Sequence, residues 1–135
     1  MDQVLGRAAD RFEHLLEEGH APDPADAVAA AVELVESIGG TAPVDLTRVA
    51  VQAWAEALRN PAVAAVAGGA YATMRGYFVE VARRAQQTGR LPADADPAEV
   101  GATLFSLVLG FLLQRLLLGD VDPGGYVGAV RLLLG

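Results

Sequence analysis

The chain has 135 residues, a formal net charge of −7 and no cysteine. The absence of cysteine excludes a disulfide scaffold, thiolate metal sites and a cysteine nucleophile, and intrinsic disorder is disfavoured because 53% of the residues are hydrophobic. All ten basic residues are arginines, and a chain this acidic repels phosphates, so we expect these residues not to contact nucleic acid directly.

Four Asp-Pro or Asn-Pro pairs divide the sequence into helical segments. Asp or Asn can accept hydrogen bonds from the free N–H groups at a helix start, and Pro in the first helical position loses no hydrogen bond. The pairs are Asp23-Pro24, Asn60-Pro61, Asp96-Pro97 and Asp122-Pro123. Helix ends are predicted at glycines, which can adopt the left-handed conformation. These are Gly19, Gly39-Gly40, Gly89 and Gly119.

Apolar residues recur at helical spacing between these signals, so we predict an all-α fold of six helices and no strand. In chain order the predicted helices cover residues 2–18, 24–38, 46–60, 61–88, 97–118 and 123–134. Residues 1–135 are predicted to form a single domain. The long fourth helix contains Gly68, Gly69 and Gly76, which indicate a bend or a close contact within it.

The fifth predicted helix is apolar on opposite sides, and the sixth has Arg131 as its only charge. A helix that is apolar all round has to be covered on every side. Either two chains pair through these helices as a four-helix bundle, or the fifth helix is the central helix of a monomer. We favour the homodimer, in which Gly101 and Gly110 would allow backbones to approach closely. The predicted interface residues are Ala102, Leu109, Leu113, Leu116, Tyr126, Val130 and Leu133.

No pattern typical of an enzyme or a metal site is present in the sequence. The only histidines, His14 and His20, lack a recognised metal-ligand spacing. Ser37 and Ser106 lack the glycine-flanked turn of a hydrolase nucleophile. We therefore predict no catalysis, no cofactor and no metal. The longest uncharged apolar stretch, residues 100–113, is too short to span a membrane, and without a targeting signal we expect a cytoplasmic protein.

Aromatic residues concentrate on the first, third and fourth predicted helices. They are either ordinary core residues or the lining of a ligand cavity between helices. In the second case the phenols of Tyr71 and Tyr77 could orient a ligand, and we expect that ligand to be apolar or aromatic. The predicted ligand-binding residues are Phe12, Leu16, Trp54, Tyr71, Met74, Tyr77, Phe78 and Phe105.

Four segments, taken in order, resemble the C-terminal ligand-binding and dimerisation domain of TetR-family transcriptional regulators. Residues 50–61 are similar to the family's Trp-containing helix, which ends in a polar residue and Pro. Residues 83–91 resemble the basic, Gln- and Gly-containing end of its long helix, and residues 107–117 resemble its dimerisation helix. Asp122-Pro123 then opens a short terminal helix, as in the family.

This resemblance implies a homodimer in which a small effector modulates DNA binding by the full-length protein, as in the family's transcriptional repressors. Residues 1–19 resemble the helix that connects the family's helix-turn-helix unit to this domain. Operator DNA is therefore expected only through a helix-turn-helix unit that this sequence does not contain. Two other functions stay open: a stand-alone small-molecule binding protein, and a dimerisation module with a filled core.

Overall fold

A computed structural model describes residues 3–40 and 45–135. Within these ranges the fold is all-α, with six helices and no strand, which confirms the predicted fold class. The helices are α1 (Gln3–His14), α2 (Pro24–Gly40), α3 (Leu46–Ala57), α4 (Pro61–Gln87), α5 (Pro97–Leu117) and α6 (Pro123–Leu134). The predicted start of α1 at Asp2 lies outside the described residues, and α1 ends four residues before its predicted end.

The predicted helix starts are confirmed by their capping bonds. In each of the four pairs, the Asp or Asn side chain accepts a hydrogen bond from a backbone N–H of the first turn, at 2.7 to 3.0 Å. Three of the predicted stops also adopt the left-handed conformation, with φ of +84° at Gly19, +82° at Gly89 and +70° at Gly119. The predicted helix stop at Gly19 is wrong, because α1 already ends at His14. The caps and the glycines after α4 and α5 do mark the predicted boundaries.

Gly39 does not end α2, although the sequence predicts a helix end there. The helix continues to Gly40, and a Cβ atom at Gly39 would overlap the guanidinium group of Arg115. Arg115 Nε donates to Glu36 Oε1 at 3.0 Å, and Nη1 donates to Asp45 Oδ2 at 3.3 Å. Gly39 therefore provides the space in which an arginine from α5 can join α2 to the start of α3.

The core lies where α5 packs between α4 and α2, with α6 covering α2. Its largest fully buried side chains are Phe111, Leu104, Val28 and Val32. Among the described helices, α5 alone is long and apolar enough to cross a membrane, a property that core helices share. α5 packs on both α2 and α4, and about a third of its most apolar 18-residue window is buried inside the chain. The sequence prediction that this segment is too short to span a membrane counted only residues 100–113, and by length and composition the full helix corrects it.

Candidate ligand-binding site

Six of the eight predicted ligand-binding residues form one continuous series of ring contacts, which we call the aromatic series. In order, it consists of Trp54, Tyr71, Phe105, Phe78, Phe12 and Tyr77, with neighbouring ring centroids 5.1 to 6.3 Å apart. Separations in this range are favourable for aromatic pairs. The aromatic series runs from α3 through α4 and α5 to α1, so it connects helices that are distant in the sequence.

An apolar groove of about 540 Å³ lies between α3 and the first half of α4. We call it the α3–α4 groove. Tyr71 and Met74 lie at one end of its wall, and small side chains form the rest. These are Ala53, Ala62, Val63, Val66, Ala67 and Ala70. The volume is within the range of roughly 300–1,000 Å³ that is typical of small-molecule sites.

Two polar groups lie in the part of the aromatic series nearest the α3–α4 groove. Trp54 Nε1 is buried and has no hydrogen-bond partner among the described residues. Leaving such a donor unpaired costs about 1–3 kcal/mol. Trp54 does not line the groove, so a ligand acceptor would reach this N–H only by displacing Tyr71. The ring of Trp54 contacts Tyr71, and burial raises the pKa of the Tyr71 phenol, which keeps this hydroxyl in its neutral form.

The other end of the aromatic series is tightly packed. Phe12, Leu16, Tyr77 and Phe78 surround a space between α1 and α4 that is too small for a water molecule. Phe105 is also buried and stacks on Phe78 at 5.9 Å. The structure thus brings Tyr71 and Met74 to an open groove with Trp54 beside them. It places Phe12, Leu16, Phe78 and Phe105 in or against the core, and it leaves Tyr77 44% exposed.

The small residues of the α3–α4 groove were not among the sequence candidates. Val63, Val66, Ala67 and Ala70 lie on the same helical stripe of α4 as Tyr71 and Met74, so periodicity assigns them to a core face. The structure leaves this part of the stripe uncovered, and Val66 is 76% exposed. Helical spacing alone does not distinguish a buried stripe from the wall of an open groove.

The predicted dimer-interface residues occupy three environments in the single chain. Leu133 is 81% exposed, whereas Val130 is 2% exposed and packs inside its own chain, so Val130 has almost no surface to offer to a second copy. Tyr126 donates a hydrogen bond to the Leu107 carbonyl oxygen and packs on Phe111. The remaining residues are half-buried: Ala102, Leu109, Leu113 and Leu116. Further exposed leucines nearby in the sequence are Leu117, Leu118 and Leu132.

The end of α4 holds the turn that follows α1. Arg84 Nη1 donates to the backbone oxygens of Glu17, at 3.1 Å, and His20, at 2.8 Å. Arg84 Nε also donates to Glu80 Oε1 at 2.8 Å, and Arg83 makes a two-pronged pair with the same carboxylate. Glu80 therefore orients the arginine that connects α4 to the α1–α2 turn.

We expect Glu80→Gln to lower the free energy of unfolding by about 1 kcal/mol near neutral pH, the upper range for partly exposed ion pairs. Hydrogen bonds from Arg83 and then Arg84 outweigh partial burial and lower the pKa of Glu80 from 4.5 to about 2. Because the folded-state pKa is the lower one, the stabilisation is complete above pH 4.5 and is lost as the pH falls towards 2.

Urea unfolding of both proteins near pH 7 and near pH 3 measures this effect. The difference between wild type and Glu80→Gln should shrink at the lower pH. The exposed Glu99 provides a control, because Glu99→Gln should change the stability by less than about 0.5 kcal/mol. An equal difference between wild type and Glu80→Gln at both pH values would contradict the assignment.

Residues 39–134 match the family model described as the C-terminal domain of BetI-type transcriptional repressors. The matched range contains α3 to α6, and with them the α3–α4 groove and both helices of the predicted interface. The chain belongs to this family. It is a TetR-family regulator domain, which confirms the resemblance read from the sequence. No curated protein and no solved structure matches the regulator domain.

Proposed function

We propose that the regulator domain binds a small apolar or aromatic effector in the α3–α4 groove and passes the signal to a DNA-reading unit of the full-length protein. The observation that carries this proposal is the continuity between the groove and the aromatic series. Tyr71 belongs to both, and the aromatic series reaches α1 at Phe12 before it ends at Tyr77. The proposed setting is the cytoplasm, where a transcriptional regulator meets its operator.

The proposed mechanism is a change in packing along the aromatic series. An effector in the groove displaces Tyr71, and close-packed neighbours transmit a change of shape because the interior contains little free space. The change passes through Phe105 and Phe78 to Phe12. Since α1 resembles the helix that joins the DNA reader to this domain, its movement alters the spacing of two readers on half-sites about 34 Å apart. The effector would weaken DNA binding by some factor, and by linkage DNA would weaken effector binding by the same factor.

Two copies of the regulator domain are needed for this mechanism, and we propose that they pair through α5 and α6. TetR-family regulators typically dimerise. The single chain exposes several leucines towards its carboxyl end, including Leu132 at 85% and Leu133 at 81%. Pairing would remove this apolar surface from water, which is the usual driving force for permanent homodimers.

A dimerisation module with a filled core is the second candidate function. It is favoured by the tight packing of Phe12, Tyr77 and Phe78, whose surroundings leave no space for water. In that case the α3–α4 groove would bind no small molecule. A stand-alone binding protein would share the groove but act without a DNA reader.

A thermal-shift screen with neutral aromatic and alicyclic compounds tests the proposed function. Compounds that raise the melting temperature of the wild type are then titrated into Ala70→Trp, in which an indole would fill the groove beside Tyr71. We expect their affinity to fall at least about tenfold, equal to about 1.4 kcal/mol of binding free energy. Ala72→Trp adds the same ring to an exposed position of α4 outside the groove, and it should leave the affinity unchanged.

Two outcomes would contradict the proposal. If Ala70→Trp binds every active compound as the wild type does, the effector site is not the α3–α4 groove. If no compound raises the melting temperature, the dimerisation module becomes the better interpretation. Trp54→Phe adds a chemical test: it should weaken only ligands that carry a hydrogen-bond acceptor, because it removes the unpaired indole N–H and keeps an aromatic ring.

A further inference from the structure

The turn after α1 brings together three side chains of the types that bind Zn²⁺: His14, Glu17 and His20. One possible ligand atom from each lies within 4.8 Å of the other two. His14 Nδ1 is 3.0 Å from Glu17 Oε2, and the two imidazole centroids are 4.7 Å apart. All three side chains are exposed, so a solvent ion can reach them directly.

The sequence prediction of no metal site was based on spacing, because His14 and His20 form no recognised metal-ligand motif. The predicted first helix ran to residue 18, with His20 in the loop after it. In the structure α1 ends at His14, and Gly19 has φ of +84°. The chain reverses there and brings His20 back beside His14.

The backbone around the cluster prepares the imidazole of His20 for metal binding. His20 Nδ1 is 2.8 Å from the backbone oxygen of His14. Because a carbonyl oxygen can only accept a hydrogen bond, Nδ1 carries the hydrogen and the neutral ring keeps a free lone pair on Nε2. A histidine that binds a metal through one ring nitrogen usually donates a hydrogen bond from the other nitrogen in this way. Arg84 fixes the same turn through the backbone oxygens of Glu17 and His20.

The charge around the cluster favours a cation. A groove of about 740 Å³ between α1 and α2 includes His14 and Glu17 in its wall. Its lining contains five carboxylates, of which Glu33 pairs with Arg11 and Asp26 pairs with Arg131. Asp10, Glu13 and Glu17 provide the remaining negative charge. The one arginine that touches the turn from α4, Arg84, is paired with Glu80. A predominance of negative charge along a groove raises the local concentration of cations.

We propose that His14, Glu17 and His20 bind one Zn²⁺ ion per chain. Two imidazoles and a carboxylate form a donor set that suits Zn²⁺, and a water molecule would complete a four-coordinate site. The three ligand atoms lie within 4.8 Å of one another, and the exposed side chains would rotate to form Zn–N bonds of about 2.0–2.1 Å. The ion would join the end of α1 to the turn before α2, at a place separate from the α3–α4 groove.

Isothermal titration of ZnCl₂ into the tag-free, metal-free full chain tests this site. We expect one Zn²⁺ per chain. His14→Ala and His20→Ala should each weaken binding by at least about 10- to 100-fold, the loss that follows removal of even the outer partners of a metal ligand. Glu17→Gln keeps the size of the side chain and should also weaken binding. Glu18→Gln, an exposed carboxylate in the same turn, should bind Zn²⁺ as the wild type does.

The imidazole nitrogens give a direct spectroscopic readout. The chain has only two histidines, so both rings can be assigned in a long-range ¹H–¹⁵N spectrum. We expect the Nε2 resonance of His20 to shift on Zn²⁺ addition and its Nδ1 resonance to keep the signature of a protonated nitrogen. Circular dichroism checks that each variant is folded. Unchanged binding in His14→Ala or His20→Ala, no measurable Zn²⁺ binding to the wild type, or one Zn²⁺ per two chains would overturn the proposal.

Discussion

A Leu133→Arg variant is expected to sediment as a 14.0 kDa monomer at concentrations at which we expect the wild type to form the proposed dimer. Leu133 is 81% exposed in the single chain, so the substitution leaves the packing of the chain unchanged. In a symmetric dimer the same patch is used on both copies, and the charge is therefore introduced twice. Each copy of a central interface residue contributes about 2 kcal/mol, so two copies give an expected loss of about 4 kcal/mol of dimerisation free energy. This loss raises the dissociation constant roughly a thousandfold.

Sedimentation equilibrium over a range of concentrations measures the dissociation constant. Leu58→Arg provides the matched control, because Leu58 is 90% exposed and follows α3, away from the proposed interface. It should dimerise as the wild type does. A wild-type chain that sediments as a monomer at every concentration would contradict the pairing itself, and a dimeric Leu133→Arg variant would contradict this interface. Leu109→Arg is a less clean test, because Leu109 is half-buried within its own chain.

Gly101→Ala is expected to lower the free energy of unfolding by about 3 kcal/mol, the upper part of the usual range for an overpacked core. Gly101 is buried at the contact between α5 and α4. A Cβ atom there would lie 2.5 Å from both the Cα and the backbone N of Val79. Because backbone atoms cannot rotate away as a side chain does, the two helices would have to separate. The higher helix propensity of Ala offsets at most about 1 kcal/mol.

Urea unfolding of Gly101→Ala against Gly76→Ala isolates the effect of close packing. Gly76 lies inside α4, close in sequence to Val79, but a Cβ atom there meets nothing within 4 Å. Gly76→Ala should therefore raise the stability by about 0.5–1 kcal/mol. Equal effects of the two substitutions would show that α4 and α5 are not in such close contact. Because α4 carries the α3–α4 groove and α5 carries the proposed interface, the contact between α4 and α5 also sets the position of the groove relative to the interface.

The glycines illustrate where sequence reasoning succeeds and where it stops. Gly89 and Gly119 follow the ends of α4 and α5 with positive φ, which a helical pattern followed by Gly predicts. Gly101 was expected to serve close approach between two chains, and it serves close approach to α4 of its own chain. Gly39 was expected to end a helix, and it accommodates Arg115 from α5. In both cases the partner is distant along the chain, so no local pattern identifies it.

At the candidate site, too, the sequence predicted which residues are involved but not how they are packed. Composition and helical spacing identified the aromatic residues, six of which do lie in mutual contact, from Trp54 to Tyr77. They did not distinguish the open end beside Tyr71 from the closed end around Phe12. That distinction depends on the separation of α3 and α4 and on the aromatic rings that fill the space between α1 and α4.

The sequence by itself determined the all-α class, the order of the helices, most of their ends and the TetR-family membership. The class, the order and the ends of the helices follow from interactions within one or two helical turns, namely caps, turn glycines and apolar periodicity, which are written in adjacent residues. The family membership rests on the resemblance of four segments and on the family match over residues 39–134. Only the tertiary structure decided that Val130 is buried, that the groove opens between α3 and α4, and that His20 returns beside His14. Each of these depends on which helix faces pack together and where a turn redirects the chain, and a local pattern does not record either.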